Sequence, residues 1–207
     1  MTAEQSAMGG GRARLAELVA VRDVYDVLTR YCRALDRADL AMMESVYWPD
    51  GEDIHGIYVG RASEFVPFII GEITKYFTMG THCLLNVHID VDGDFAASES
   101  TLYSACRVRN DMAQDMLGSD YFAQLAGKGL DADHEMFVMA GRYLDRFEKR
   151  GGEWRILRRM VVTDWNACHP SNQILDEGMH RTLRPIGEWG KCDPVYANSR
   201  FVEGATP

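Results

Sequence analysis

Between Leu15 and Leu35 the apolar residues Leu15, Leu18, Val19, Val24, Val27, Leu28, Tyr31 and Leu35 recur at intervals of three and four. That period predicts an amphipathic helix about five turns long. Asp36 falls at its C-terminal end, where the helix macrodipole disfavours a carboxylate, so it is either exposed or held for a purpose. Asp39 is placed to start a second short helix, DLAMMESVY, which the PDG at 49–51 is expected to stop. An extended segment, EDIHGIYVG, follows. Residues 61–77 (RASEFVPFIIGEITKYF) then carry a helical pattern, with Pro67 near enough to the start to be tolerated or to kink it.

Alternation takes over beyond this point. Residues 81–91, 95–109, 134–149 and 153–166 read as long strands, the first pair joined by DGD and the last by KRGGE, both hairpin turns. Between them, 110–133 is an insertion with helical character only around Asp120 to Leu125, either a surface loop or a lid over a pocket. After Asn166 the chain turns irregular, with Pro170, Pro185 and Pro194; its Trp189, Tyr196 and Phe201 imply that 168–207 packs on the domain or on a neighbouring subunit. Helices first and a curved antiparallel sheet after them predict one α+β domain over 13–167, the sheet bent around the helices into a cone that encloses a pocket.

One stretch resists simple alternation. In THCLLNVHIDVDGD (81–94), His82 and Asn86 share parity with His88 and Asp90, whereas Val87, Ile89 and Val91 take the opposite face. If His82 points inward, the strand must change face along its length, by a bulge or by leaving the cone.

Composition narrows the classes. With 207 residues, 46% of them hydrophobic and 10% aromatic, the chain suits one globular core. A formal charge of -9, from 22 Lys and Arg against 31 Asp and Glu, argues against a nucleic-acid partner. The basic cluster RILRR (155–159) alternates with apolar residues and reads as a solvated strand face. The five cysteines are scattered, with no CxxC, which suits reduced thiols and a cytoplasmic protein. No segment approaches a membrane span, and residues 1–12 read as a disordered leader.

For chemistry, Asp36 and His82 are far apart in sequence but can meet across a helix packed on a sheet. A carboxylate bonded to one imidazole nitrogen fixes the tautomer and stabilises the imidazolium, leaving the other nitrogen to take a proton near neutral pH. The histidines His55, His82, His88, His134, His169 and His180 match no metal-binding spacing, so no metal is expected. Only Cys83 and Cys168 have a histidine beside them, adjacent in sequence and, in a strand, on the opposite face. There is no GxGxxG, P-loop or GxSxG, and no cofactor is expected.

The order YCRALDRADL, YWPDGEDIHGIYVGR, THCLLNVHIDVDGD and GRYLDRFEKRGGEWRILRRMVVTDW, over about residues 15–166, resembles the SnoaL-like branch of the nuclear transport factor two superfamily. The resemblance implies a cone-shaped α+β barrel with an internal, mainly apolar pocket, and a dimer or trimer. Within that superfamily the chain is similar to scytalone dehydratase, the bile-acid 7α-dehydratases and hexachlorocyclohexane dehydrochlorinase, all cofactor-free lyases. Their pattern of an Asp ending the first helix and a His before xxxN on a later strand is matched here by Asp36, His82 and Asn86. Tyr31 matches a substrate-binding tyrosine, and His55 stands where the dehydratases carry another, which makes it a candidate second acid or base with Tyr58 as its phenolic substitute. The further Asp or His of the dehydratases has no counterpart at Ala105 to Arg107, leaving Tyr103 or Arg107 to face the pocket. The implied function is elimination of water or formaldehyde from a hydrophobic hydroxylated aromatic or polycyclic molecule, a lignin-derived diaryl or a steroid. An isomerase, a non-catalytic binding module and a dioxygenase small subunit are the alternatives on the same fold.

Overall fold

Helix α1 (Ala3–Arg37) and the short α2 (Leu40–Val46) open the chain. The computed structural model describes residues 3–127, 135–171, 173–174 and 176–204. Residues 128–134 of the expected insertion and strand start, His134 among them, therefore lie outside the described residues. So do Met1, Thr2 and the last three residues of the tail. The segment expected as a disordered leader is instead helical from Ala3. Strong helix formers such as Ala3, Gln5 and Ala7 before the glycines, and Arg14, Leu15 and Ala16 after them, carry the helix through Gly9–Gly11.

Asp39 caps α2 as its spelling suggests, its carboxylate accepting from the Met42 amide at 3.2 Å. The PDG at 49–51 does not form the expected stop. It lies inside strand β1 (Tyr47–Ile54), where the pairing register shifts between Tyr47 and Glu52. A close approach explains the glycine: a Cβ on Gly51 would lie 2.8 Å from the Leu157 carbonyl oxygen of the neighbouring strand. Strand β2 (Val59–Arg61) and α3 (Ala62–Tyr76) complete the first half.

Four long strands follow: β3 (Phe77–Asp92), β4 (Phe95–Val108), β5 (Glu135–Arg150) and β6 (Glu153–Pro170). The turns are the expected ones, with Gly93 at φ 60° and Gly151 and Gly152 at 61° and 92°, conformations that favour glycine. The sheet order is β2-β1-β6-β5-β4-β3; every pairing is antiparallel except β1 with β6, which is parallel. Helix α3 touches both β1 and β3, which are separated by three strands. With strands ~4.8 Å apart, a helix ~10 Å wide reaches both only if the sheet curls around it. The result is a cone-like α+β fold whose sheet stays open between β2 and β3.

The core lies inside the curl, where Val24, Leu28, Tyr31 and Leu35 of α1 meet Met43, Phe65, Leu102, Phe147 and Ile156. Each such side chain contributes about 1.5–3 kcal/mol by leaving water. Leu15, Leu18 and Val19, counted on the same apolar face by periodicity, do not reach this core and are exposed. Of the insertion, α4 (Ala113–Leu117) and α5 (Ser119–Gly127) are described, with Tyr121 donating to the buried Glu135 at the start of β5. The tail returns as α6 (Pro194–Gly204), held against α1 by an Arg33–Ser199 hydrogen bond of 3.0 Å and an Arg37–Asp193 ion pair of 3.4 Å.

Two strands carry bulges that decide which side chains face inward. On β3, Leu85 pairs with Thr101 but His88 with Glu99, so one extra residue intervenes, and Asn86 there has φ 48°. On β6, Ile156 pairs with Phe147 but Arg158 with Arg146, leaving Leu157 as the extra residue. Each insertion exchanges the two faces beyond it.

Candidate active site

The bulge at Asn86 resolves the parity conflict on β3. Leu84 before it and Val87, Ile89 and Val91 after it all pack on the core, so His82, two residues before Leu84, shares their face. The flank of α1 that meets it carries Tyr25, Thr29, Cys32, Arg33 and Asp36 at helical spacing. Together with Arg37, Leu84 and Val195 of α6 these line a cleft of about 310 Å³.

Asp36 is bound to His82 twice. Its Oδ1 lies 2.6 Å from the imidazole Nδ1, and its Oδ2 accepts the His82 backbone N–H at 3.1 Å. The two side chains are 15% and 13% exposed, screened from bulk water but open to the cleft. These two bonds offset the poor position of a carboxylate at a helix C-terminus. They also assign the proton: Nδ1–H donates to Asp36, and Nε2, with no hydrogen-bond partner among the described residues, is the nitrogen free to accept one. Burial pushes the neighbouring thiols Cys32 and Cys106 up to about 12, with Asp36 adding to the effect, so both remain neutral.

A second polar cluster fills the interior. Arg159 is fully buried, makes a bidentate pair with Asp145 at 2.7 Å, and lies between the rings of Tyr31 and Tyr143, 3.8 and 4.0 Å from their centroids. Burial opposes its charge, but Asp145 outweighs burial and holds the guanidinium protonated. Beyond Tyr31, Tyr47 donates to Asp53 at 2.5 Å, and the other Asp53 oxygen stands 3.3 Å from His55 Nδ1. Burial raises the Tyr31 and Tyr47 phenols far above their usual value, against the pull of Arg159, so both stay protonated.

The sequence-derived candidates thus divide. Asp36 and His82 meet. Tyr31 and His55 belong to the interior cluster, with Tyr58 beside them, its ring on Phe65 and Phe68 and its hydroxyl donating to the Arg61 carbonyl. Asn86 is exposed, not among the cleft-lining residues, and serves as the bulge. Tyr103 and Arg107 take the outer face because Leu102, Ser104 and Cys106 take the inner one. There Tyr103 meets Trp165, and Arg107 binds Thr78 and Gln173.

Arg159 corrects the reading of RILRR as a solvated face. Counting back from the Gly151–Gly152 turn pairs Asp145 with Arg158, whereas the bulge at Leu157 moves the partner to Arg159 and turns it inward. Thr29 and Arg33 were also missed, although their spacing from Asp36 on α1 was a usable signal. Among the described residues no group of three or more His, Cys, Asp or Glu side chains is placed to hold a metal ion, and no helix is long and apolar enough to cross a membrane.

Solved structures share this fold. A type 2 hexachlorocyclohexane dehydrochlorinase aligns with TM-score 0.57 at 15% identity, covering 78% of this chain and 94% of its own. A scytalone dehydratase-like protein from Novosphingobium aromaticivorans aligns with TM-score 0.57 at 17% identity, covering 76% and 91%. A nuclear transport factor 2-like superfamily protein from Salmonella enterica gives 0.53 at 19%, covering 76% and 95%. No curated protein matches the chain. A SnoaL-like domain model matches residues 16–160, most of the sequence. The chain therefore belongs to the SnoaL-like domain family.

Proposed function

We propose that the protein is a cofactor-independent lyase in which His82 is the general base and Asp36 its orienting partner. The observation that carries this reading is the pair of hydrogen bonds that Asp36 accepts from His82, one from the ring and one from the backbone, at the wall of a cleft. His82 Nε2 removes a proton from substrate carbon, the C–H electron pair becomes the new double bond, and the leaving oxygen departs. Asp36 stabilises the imidazolium, which returns its proton to that oxygen and releases water. For loss of formaldehyde the base takes the proton of a hydroxymethyl group instead; the C–C bond breaks as the formaldehyde C=O forms, and the imidazolium returns its proton to the carbon that keeps the C–C electron pair. The dehydratase and dehydrochlorinase neighbours support elimination as the reaction type.

The cleft wall suits a hydrophobic hydroxylated aromatic or polycyclic molecule. Tyr25, Leu84 and Val195 offer apolar contact. Arg33, whose Nε makes no hydrogen bond, offers a donor to a substrate oxygen, and the Thr29 oxygen, whose own proton goes to the Asp26 carbonyl at 3.0 Å, offers an acceptor to a substrate hydroxyl. The test is incubation of the purified chain with a panel of hydroxylated diaryl and steroid compounds, read by mass spectrometry. Loss of water or formaldehyde supports the reading. A product of unchanged mass would make the protein an isomerase, and full turnover by His82→Ala would overturn the assignment of the base.

A further inference from the structure

Two arginines border the dyad cleft, and the chain satisfies only one of them. Arg37 Nη1 donates to the Asp36 backbone carbonyl at 2.7 Å, and its Nε stands 3.4 Å from an Asp193 oxygen. Arg33, one turn earlier on α1, makes one hydrogen bond to the chain, from Nη2 to the Ser199 hydroxyl at 3.0 Å. Neither its Nε nor its Nη1 bonds a described residue, and it enters no ion pair with a described carboxylate. The acids around it are occupied: Asp36 accepts twice from His82, Asp39 is taken by Lys191 and Tyr196, and Asp193 accepts two backbone amides beside Arg37. The whole chain carries a formal charge of -9, so this unmatched cation is a local feature and no part of a basic surface.

Position and chemistry together say what it takes. Arg33 and Asp36 are three residues apart on α1, about 4.5 Å along the axis, and Thr29 and Tyr25 continue the same row in the other direction, Tyr25 about 12 Å from Arg33. Along the cleft the wall thus presents an aromatic ring, a hydroxyl oxygen, a guanidinium and then the dyad. A guanidinium stays charged at any working pH, and its flat fork matches a carboxylate through two parallel N–H···O bonds, whereas a neutral oxygen leaves the charge unanswered. We infer that the substrate is a hydroxylated aromatic acid whose carboxylate sits on Arg33, close to the reacting carbon, with its apolar body extended toward Tyr25. As His82 takes the proton, the imidazolium balances Asp36, and Arg33 remains the partner of the substrate's own charge. What becomes of the bound acid rests on the lyase reading, whereas recognition of its carboxylate is a binding event of its own.

The test is isothermal titration calorimetry of the full chain with 3-hydroxy-3-phenylpropanoate, diphenylacetate and the methyl ester of each. The acids should bind at least about 10-fold tighter than their esters. Arg33→Met, which keeps the length of the side chain and removes its charge, should bring acid and ester to equal affinity, and Arg33→Lys, a charge without the fork, should retain part of the preference. Ser199→Ala removes the one bond from Arg33 to the tail but leaves the guanidinium, so it should keep the preference in full and separate recognition of the acid from loosening of the tail. His82→Ala should also keep it while losing turnover, so that failure of the proposed base and failure of the acid site are read independently. Acids that bind no tighter than their esters, no binding by either acid, a preference that survives in Arg33→Met, or one that is lost in Ser199→Ala would each overturn the assignment.

Discussion

Asp36 and His82 stand forty-six positions apart and become one unit because each supplies what the other lacks. The imidazole gains a fixed tautomer, and the carboxylate gains two donors at a helix end that would otherwise repel it. His82→Ala should therefore lower kcat on any active substrate by at least about 10²-fold, and Asp36→Asn, which leaves the shape but not the charge, by a comparable factor. Steady-state kinetics on the first substrate identified would check both. Arg159 is a different case, since its charge is neutralised inside the core. Arg159→Met leaves the Asp145 carboxylate buried without its partner and should cost about 3–5 kcal/mol in urea unfolding. Arg159→Met combined with Asp145→Leu should recover most of that loss, because an apolar pair of similar volume removes the stranded charge.

At the scale of elements, two single-residue bulges carry much of the architecture. Strict alternation from Val87, Ile89 and Val91 would point His82 to solvent, and strict alternation from Trp154 and Ile156 would do the same to Arg159. The bulges at Asn86 and Leu157 invert both. Asn86 holds φ 48°, a region that asparagine and glycine tolerate and β-branched residues do not. Asn86→Gly should be close to neutral in thermal unfolding and keep full turnover, since the exposed side chain is off the cleft. Asn86→Val should cost about 1–2 kcal/mol. Loss of substrate affinity in Asn86→Gly, with stability unchanged, would restore the substrate-binding role that the family pattern implied.

For the whole molecule, the tail closes one side of the dyad cleft through Val195, and carboxylates fasten it. Asp39 accepts from Lys191 at 2.8 Å and from Tyr196 at 2.6 Å, while Asp193 accepts the Glu188 and Val195 amides. Burial works against both charges, but these bonds outweigh it and hold each carboxyl below its ordinary 3.8. A lowered folded value means that the stabilisation is present above the ordinary value and is lost as pH falls through the lower one. The tail should stay docked at pH 5 and detach only as pH falls below the ordinary carboxylate value. The tryptophan emission that disappears in a Trp189→Phe control would report it, because Trp189 packs against the core. Asp39→Asn should loosen the tail at neutral pH by the same measure.

The amino-acid sequence by itself determined the helices around Leu28 and Phe65, the four long strands and their hairpins, because period and turn chemistry are local. Pairing Asp36 with His82 also followed from the sequence, through the resemblance and through the chemistry of a carboxylate at a helix end. Only the tertiary structure decided which face Arg159, Tyr103 and Arg107 take, where PDG lies, and that Leu15, Leu18 and Val19 stand outside the core. The physical reason is shared by these cases. Register and burial depend on the partner strand and on where the body ends, and a single inserted residue reverses a face without changing the local pattern that spells it.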